Sequence, residues 1–198
     1  MDVKVSPVKP KEPYGPEVNR KDLPYRQILG SLQYLVRCTR PDITNAECIL
    51  SKFIRCYTSN HYTLAQQVLA YLKGTATYGL VLRKKYEHDD LSIDADADLG
   101  NDLDNRRSIT GQVVTFGGCV IAYQSKHQAA IITDTCSAEL TAASSCADRI
   151  RWLQNLLMEL QIPIDFPARL WTDSTSAVQV ITRTSGHYKI KCLDFGDL

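Results

Sequence analysis

Residues 91–98 read Leu-Ser-Ile-Asp-Ala-Asp-Ala-Asp. Apolar and polar side chains alternate along the stretch, the period-two signature of a half-buried strand. By that count Asp94, Asp96 and Asp98 share one side. Downstream, Thr110 to Phe116 and Val120 to Ser125 are two further strand candidates, and Gly117-Gly118 between them is a hairpin signal. Residues 136–160 then carry the longest helical pattern: Leu140, Ala143, Ala147, Ile150, Leu153, Leu157 and Leu160 recur at spacings of three and four. Pro163 and Pro167 end it, Ala168 to Thr172 is a short apolar strand, and Ser174 to Ile181 reads as another helix. The order β-β-β-α-β-α predicts an α/β fold, a mixed sheet with helices packed on it.

Upstream of this block the period changes. From Tyr25 to Leu82 the pattern is helical, with Ile28, Leu32 and Leu35, then Ile49 and Phe53, then Leu64, Val68 and Leu72. Pro41 separates a first helix from a second, which Asp42 or Thr44 is placed to cap. Asn60 or Thr63 is the expected cap of a third, and Gly74 its C-terminal cap. Residues 1–23 combine prolines with alternating charge and lack apolar periodicity, so they are expected to be extended or disordered. Three segments result: 1–23, a helical unit over 24–88 with a charged junction at its end, and a sheet domain over 89–198.

Composition excludes little beyond a membrane protein. Hydrophobic residues make up 44% of 198, enough for a packed core. Lys+Arg 23 against Asp+Glu 22 gives a formal net charge of +1, so any phosphate-binding face must come from local clustering. No run of about 18 apolar residues exists, and no membrane span is expected. The first dozen residues are charged and proline-rich, unlike a signal peptide. The seven cysteines form no C-x-x-C and lie mostly in apolar stretches, which suits reduced thiols of an intracellular protein.

Three acids fall where chemistry is expected. Asp96 lies in the first strand, Glu139 in the first turn of the long helix, and Asp173 at the end of the fourth strand. An acid among Leu, Ile and Ala is expensive to bury unless paired or bound to a metal. The C-terminal ends of strands are common active-site positions in α/β sheets. Carboxylate oxygens are hard ligands that suit Mg²⁺ or Mn²⁺. Two such ions roughly 3.5–4 Å apart support phosphodiester hydrolysis. The pattern also fits a plainer account: a solvated acidic face on the strand, a favourable charge at a helix N-terminus, and a capping aspartate.

A family resemblance adds to this reading. Residues 24–43, PYRQILGSLQYLVRCTRPDI, and residues 69–82, LAYLKGTATYGLVL, resemble the end of the reverse transcriptase and its connector in copia-type retrotransposon Pol polyproteins. Residues 96–111, DADLGNDLDNRRSITG, resemble the opening of the family's ribonuclease H domain. YQSKHQAAIITDTCSAEL (123–140) is similar to the approach to its long helix, and LWTDSTSAV (170–178) to its fourth strand and next helix. The resemblance implies a ribonuclease H-like mixed sheet preceded by a helical connector remnant. It implies two-metal hydrolysis of RNA in RNA–DNA hybrids, with Asp96, Glu139 and Asp173 as catalytic metal ligands and Mg²⁺ or Mn²⁺ as cofactor. Asp98, the second acid of the D-A-D, is then a substrate-facing residue. The implied partners are an RNA–DNA hybrid and the polymerase core of the parent polyprotein. The implied location is the cytoplasm, in a virus-like particle.

The chain departs from the family pattern in several places. Leu99 stands where an aromatic residue is usual, Leu140 where Tyr is usual, and residues 191–194 read Lys-Cys-Leu-Asp for the usual K-H-I-D. No Y-x-D-D polymerase motif is present. The family's further strand and last helix, with a fourth acidic ligand, would follow Leu198, and Asp194 is poorly placed to replace that ligand. The sheet domain is therefore expected to be C-terminally truncated and impaired. The alternative is a non-catalytic remnant that binds nucleic acid or docks on a polymerase.

A ribonuclease H holds its hybrid by backbone and shape. Arg106, Arg107 and Ser108 form a compact basic group near Asp96, and Lys126 sits in another before Glu139. These are candidate phosphate contacts, although both arginines are also spaced to pair with Asp102 and Asp104. Trp152 and Trp171 read as core or interface residues, and His61, His88, His127 and His187 as surface residues.

Overall fold

The computed structural model describes residues 7–10, 18–82, 90–100, 102 and 104–182. The chain divides into two compact units, Met1–Leu80 and Val81–Leu198. The charged junction 83–89, His88, His187, Cys192 and Asp194 lie outside the described residues.

The first unit is helical: α1 (Tyr25–Cys38), a 3-10 turn at Pro41–Ile43, α2 (Thr44–Ser51) and α3 (Ser59–Gly74). Its α1 buries Tyr25, Leu29, Leu32 and Val36. The apolar stripe is therefore rotated by about one residue from the Ile28-Leu32-Leu35 reading, because Tyr25 is the anchor. The Tyr25 ring is fully buried and stacks on Tyr57 at 4.7 Å, and its hydroxyl donates to the Leu50 carbonyl at 2.8 Å. The expected caps are also corrected. No side chain caps α2, because Asp42 is engaged by the buried Arg40 guanidinium at 2.7 Å. Thr58 caps α3 in a capping box with His61, so His61 is buried rather than at the surface. Thr75 ends that helix in place of Gly74.

The second unit is an α/β fold with a ribonuclease H-like mixed sheet. Its strands are β1 (Asp90–Asp98), β2 (Ile109–Phe116), β3 (Cys119–His127) and β4 (Asp165–Trp171), in the spatial order β3-β2-β1-β4. The first three pair antiparallel, and β4 joins β1 in parallel. Gly117 and Gly118, at φ +53° and +72°, make the tight turn of the β2–β3 hairpin, where a side chain would be strained. The parallel return to β4 needs a crossover, supplied by α4 (Thr135–Glu159). Pro167 lies inside β4 rather than before it. Among the described residues β4 is an edge strand, where a missing N–H is tolerated.

The core forms where α4 covers one face of the sheet. Leu91, Ile93 and Ala95 of β1 and Val114 of β2 pack against Cys146, Ile150, Leu153 and Leu157. Cys146 replaces the expected Ala147 on the buried stripe, and Leu160 is 59% exposed. Trp152 and Trp171, at 62% and 54% exposure, are not core residues. The final helix is α5 (Thr175–Thr182).

Candidate metal centre

Each acid of the centre is placed by its element. Asp96 projects from β1 on the face opposite Ala95 and Ala97, which are buried toward α4. The α4 helix starts one residue earlier than its apolar pattern suggests, with the Asp134 carboxylate accepting from Ser137 N–H at 2.8 Å. Glu139 thus sits in the second turn and is buried, so it is not a solvated helix-end charge. Asp173 follows β4. It does not cap α5, because Ser174 Oγ accepts from Ala177 N–H at 3.2 Å.

The parallel β1–β4 pairing and the crossover helix bring the three together. One carboxylate oxygen each from Asp96, Glu139 and Asp173 lies within 4.8 Å of the others. Asp96 and Asp173 are exposed, whereas Glu139 is buried beneath them. Burial pushes the Glu139 carboxyl up to about 6, and the negative charges of Asp96 and Asp173 add to the shift. The nearby backbone of Ala97 opposes the shift. Its Oε2 is buried without a hydrogen-bond partner. An orphaned buried oxygen facing two like charges is costly, and a divalent cation relieves both terms. The residues present fit Mg²⁺ or Mn²⁺, which take carboxylate oxygens.

The candidate substrate-facing residues are placed differently from one another. Asp98 is exposed at the end of β1, on the Asp96 face. Arg106 and Arg107 are exposed on the β1–β2 loop, and neither side chain is paired with a described acid, Asp102 and Asp104 included. Ser108 is fully buried, with its hydroxyl accepting from Gly100 N–H at 3.2 Å, so it holds the loop and is not presented to a ligand. Lys126 is exposed, but its register with Thr110 and Ala97 puts it on the α4 side of the sheet, away from Asp96. Sequence reasoning read Asp102 only as a possible partner of the arginines and His127 as a surface residue; Asp102 is a fully buried carboxylate 3.7 Å from the Nδ1 of a half-buried His127. The only signal was an acid in a loop too short to solvate it on every side.

The sheet order, crossover helix and triad of acids define an α/β unit of the ribonuclease H-like class. Comparison with known proteins supplies the family. The chain is 34% identical over 176 residues to the "Retrovirus-related Pol polyprotein from transposon TNT 1-94" of Nicotiana tabacum, covering 89% of this chain and 13% of that protein. It is 33% identical over 169 residues to the corresponding polyprotein of transposon RE2 from Arabidopsis thaliana, covering 84% and 11%. A "Secreted RxLR effector protein 161" of Plasmopara viticola is 31% identical over 133 residues, which is 67% of this chain and 93% of that protein. No protein-family model and no solved structure matches the chain. The chain belongs to the Pol polyproteins of copia-type retrotransposons. It spans roughly an eighth of the curated polyproteins it matches, at 13% and 11% of their lengths. No described helix is long and apolar enough to cross a membrane.

Proposed function

We propose that the sheet unit is a metal-dependent endonuclease that cuts the RNA strand of RNA–DNA hybrids. The observation that supports the reading is the convergence of Asp96, Glu139 and Asp173 within 4.8 Å. These three carboxylates would hold Mg²⁺ or Mn²⁺. When bound, such ions lower the pKa of a coordinated water and neutralise charge building on the phosphate. Glu139 anchors the site from below with its buried oxygen, and Asp96 and Asp173 face the solvent side from which a strand approaches. The reaction adds one water across a phosphodiester P–O bond, with a proton ending on the leaving oxygen. Asp98 and the exposed Arg106 and Arg107 supply the surroundings that hold the hybrid backbone. The polymerase core of the parent polyprotein is the expected macromolecular partner, within the element's cytoplasmic particle.

A second reading is nucleic-acid binding without cleavage. It is favoured by Arg106 and Arg107, whose exposure is independent of the acids. One experiment separates the two: incubation of the chain with a labelled RNA–DNA hybrid and Mg²⁺ or Mn²⁺, beside an Asp96→Asn variant. Metal-dependent cleavage that the variant lacks supports the endonuclease. Hybrid binding with no cleavage in either protein selects the second reading.

A further inference from the structure

We propose that Asp102 and His127 form a positioning pair that sets the Arg106–Arg107 loop for a nucleic-acid backbone phosphate. The inference rests on the reading of these arginines as backbone contacts. Three observations carry it. First, Arg106 adopts φ +59°, a left-handed conformation that a residue with a Cβ enters at a cost. Such outliers persist only where the surroundings impose them, and they concentrate at ligand clamps.

Second, the element that imposes it is Asp102. Arg106 N–H donates to the Asp102 carbonyl at 2.6 Å, and Asp102 N–H donates to the Arg107 carbonyl at 3.2 Å. Asp102 Oδ1 accepts from Asp104 N–H at 3.0 Å, while Asn105 Oδ1 accepts from Arg107 N–H at 3.0 Å. The loop thus closes on the backbone of Asp102, with one oxygen of its buried carboxylate bonded inside the turn, and both guanidinium groups are left without an acidic partner among the described residues.

Third, the other carboxylate oxygen, Asp102 Oδ2, faces His127 Nδ1 at 3.7 Å. That separation is too long for a hydrogen bond and suits an ion pair, so the contact is attractive only when the imidazole is protonated. His127 ends β3 and shares a row of the sheet with Ile109 and Asp98, which ties the loop to the edge of the acidic face. Strand register also places Asp98 of β1 on its row and Lys126 on the opposite face of β3, while Asp104, Arg106 and Arg107 belong to the loop that carries Asp102. Asp134, at the start of α4, is occupied as that helix's cap.

Protonated His127 holds the Asp102 clasp, and the clasp holds the arginines. As pH rises and the imidazole loses its proton, the loop loosens and phosphate contact weakens. The pair acts through the loop and touches no substrate.

The test uses the full chain with an RNA–DNA hybrid in EDTA, so that binding is read without catalysis. Amide hydrogen exchange over residues 102–108 is followed at pH 6 and pH 8. His127→Gln should bind the hybrid about two- to fivefold more weakly than wild type at pH 6, with faster exchange in the loop, and should match wild type at pH 8. His127→Lys, a permanent cation, should restore binding and remove its pH dependence. Arg106→Ala with Arg107→Ala should weaken binding about tenfold and lower the salt slope by roughly 0.9 per lost phosphate contact. If His127→Gln matches wild type at pH 6 in both affinity and exchange, the pair is overturned. If the double arginine variant binds as wild type does, the phosphate reading is overturned, and the exchange data still decide the pair separately.

Discussion

A carboxylate oxygen of the buried Glu139 lies within 4.8 Å of one from the exposed Asp96. This proximity sets the second turn of α4 beside the strand that it crosses, a buried acid next to an exposed one. A carboxylate buried there has no solvent to turn to, so the repulsion from its neighbours' charge is built into the fold.

The first consequence concerns pH. Glu139 keeps its proton to about 6 in the folded chain, above its ordinary 4.5. The folded state therefore binds more protons than the unfolded state between these values, and metal-free stability falls as pH rises through that window. Above about 6 the penalty is constant. Thermal melts in EDTA should show wild type losing stability relative to Glu139→Gln between pH 4.5 and 6, with no further divergence at pH 8.

Metal addition should reverse that penalty. A divalent ion competes with the Glu139 proton, so apparent Mg²⁺ or Mn²⁺ affinity should fall as pH drops through about 6. At pH 7.5 the ion should raise the melting temperature of wild type and leave Glu139→Gln nearly unchanged. Calorimetric titration at pH 5 and pH 7.5 reads the same effect directly. Equal affinity at both pH values would sink the metal site.

Replacing either exposed acid should act on activity and on Glu139 together. Asp96→Asn or Asp173→Asn should cut hybrid cleavage by on the order of a hundredfold or more, since a misplaced ion costs several kcal/mol of barrier. Each should also lower the Glu139 pKa, because each removes a negative charge that raises it. Carboxyl titration by NMR checks the second effect even if cleavage is slow.

In the helical unit, Arg40 is the residue whose loss should matter most among the surface-type side chains. It is buried, pairs with Asp42 at 2.7 Å, and donates to both the carbonyl and the hydroxyl of Thr75. Arg40→Ala should cost about 3 kcal/mol, since it strands a carboxylate and a carbonyl that it had satisfied. Denaturant unfolding measures it, and a loss below about 1 kcal/mol would contradict the assignment.

The C-terminal end of α4 offers a gain. Gln161 sits at φ +57°, while Ile162 N–H donates to the Leu157 carbonyl and Gln161 N–H to that of Met158. This is a Schellman cap, where glycine is preferred. Gln161→Gly should stabilise the unit by about 0.5–1 kcal/mol, read as a higher melting temperature.

The sequence by itself determined the elements of the sheet unit, because period two and period three-to-four are local consequences of chain geometry. Leu91 to Asp98 had to be a half-buried strand, the Gly117-Gly118 pair had to turn, and the Leu153 and Leu157 stripe had to be a helix face. The three acids were legible as well, as carboxylates set among apolar residues of a strand, early in a helix and just past a strand's end. What only tertiary structure decided was whatever depends on non-local packing. The α1 stripe turned by a residue because the buried Tyr25 ring stacks on Tyr57, far away in sequence. Lys126 fell on the far side of the sheet because strand register, not sequence distance, assigns faces. Ser108 and Asp102 were hidden because a loop's interior exists only once it has closed. The meeting of Asp96, Glu139 and Asp173 required β4 to pair parallel with β1 and α4 to cross between them. Residues 43 and 34 positions apart approach within 4.8 Å only when that crossover is made.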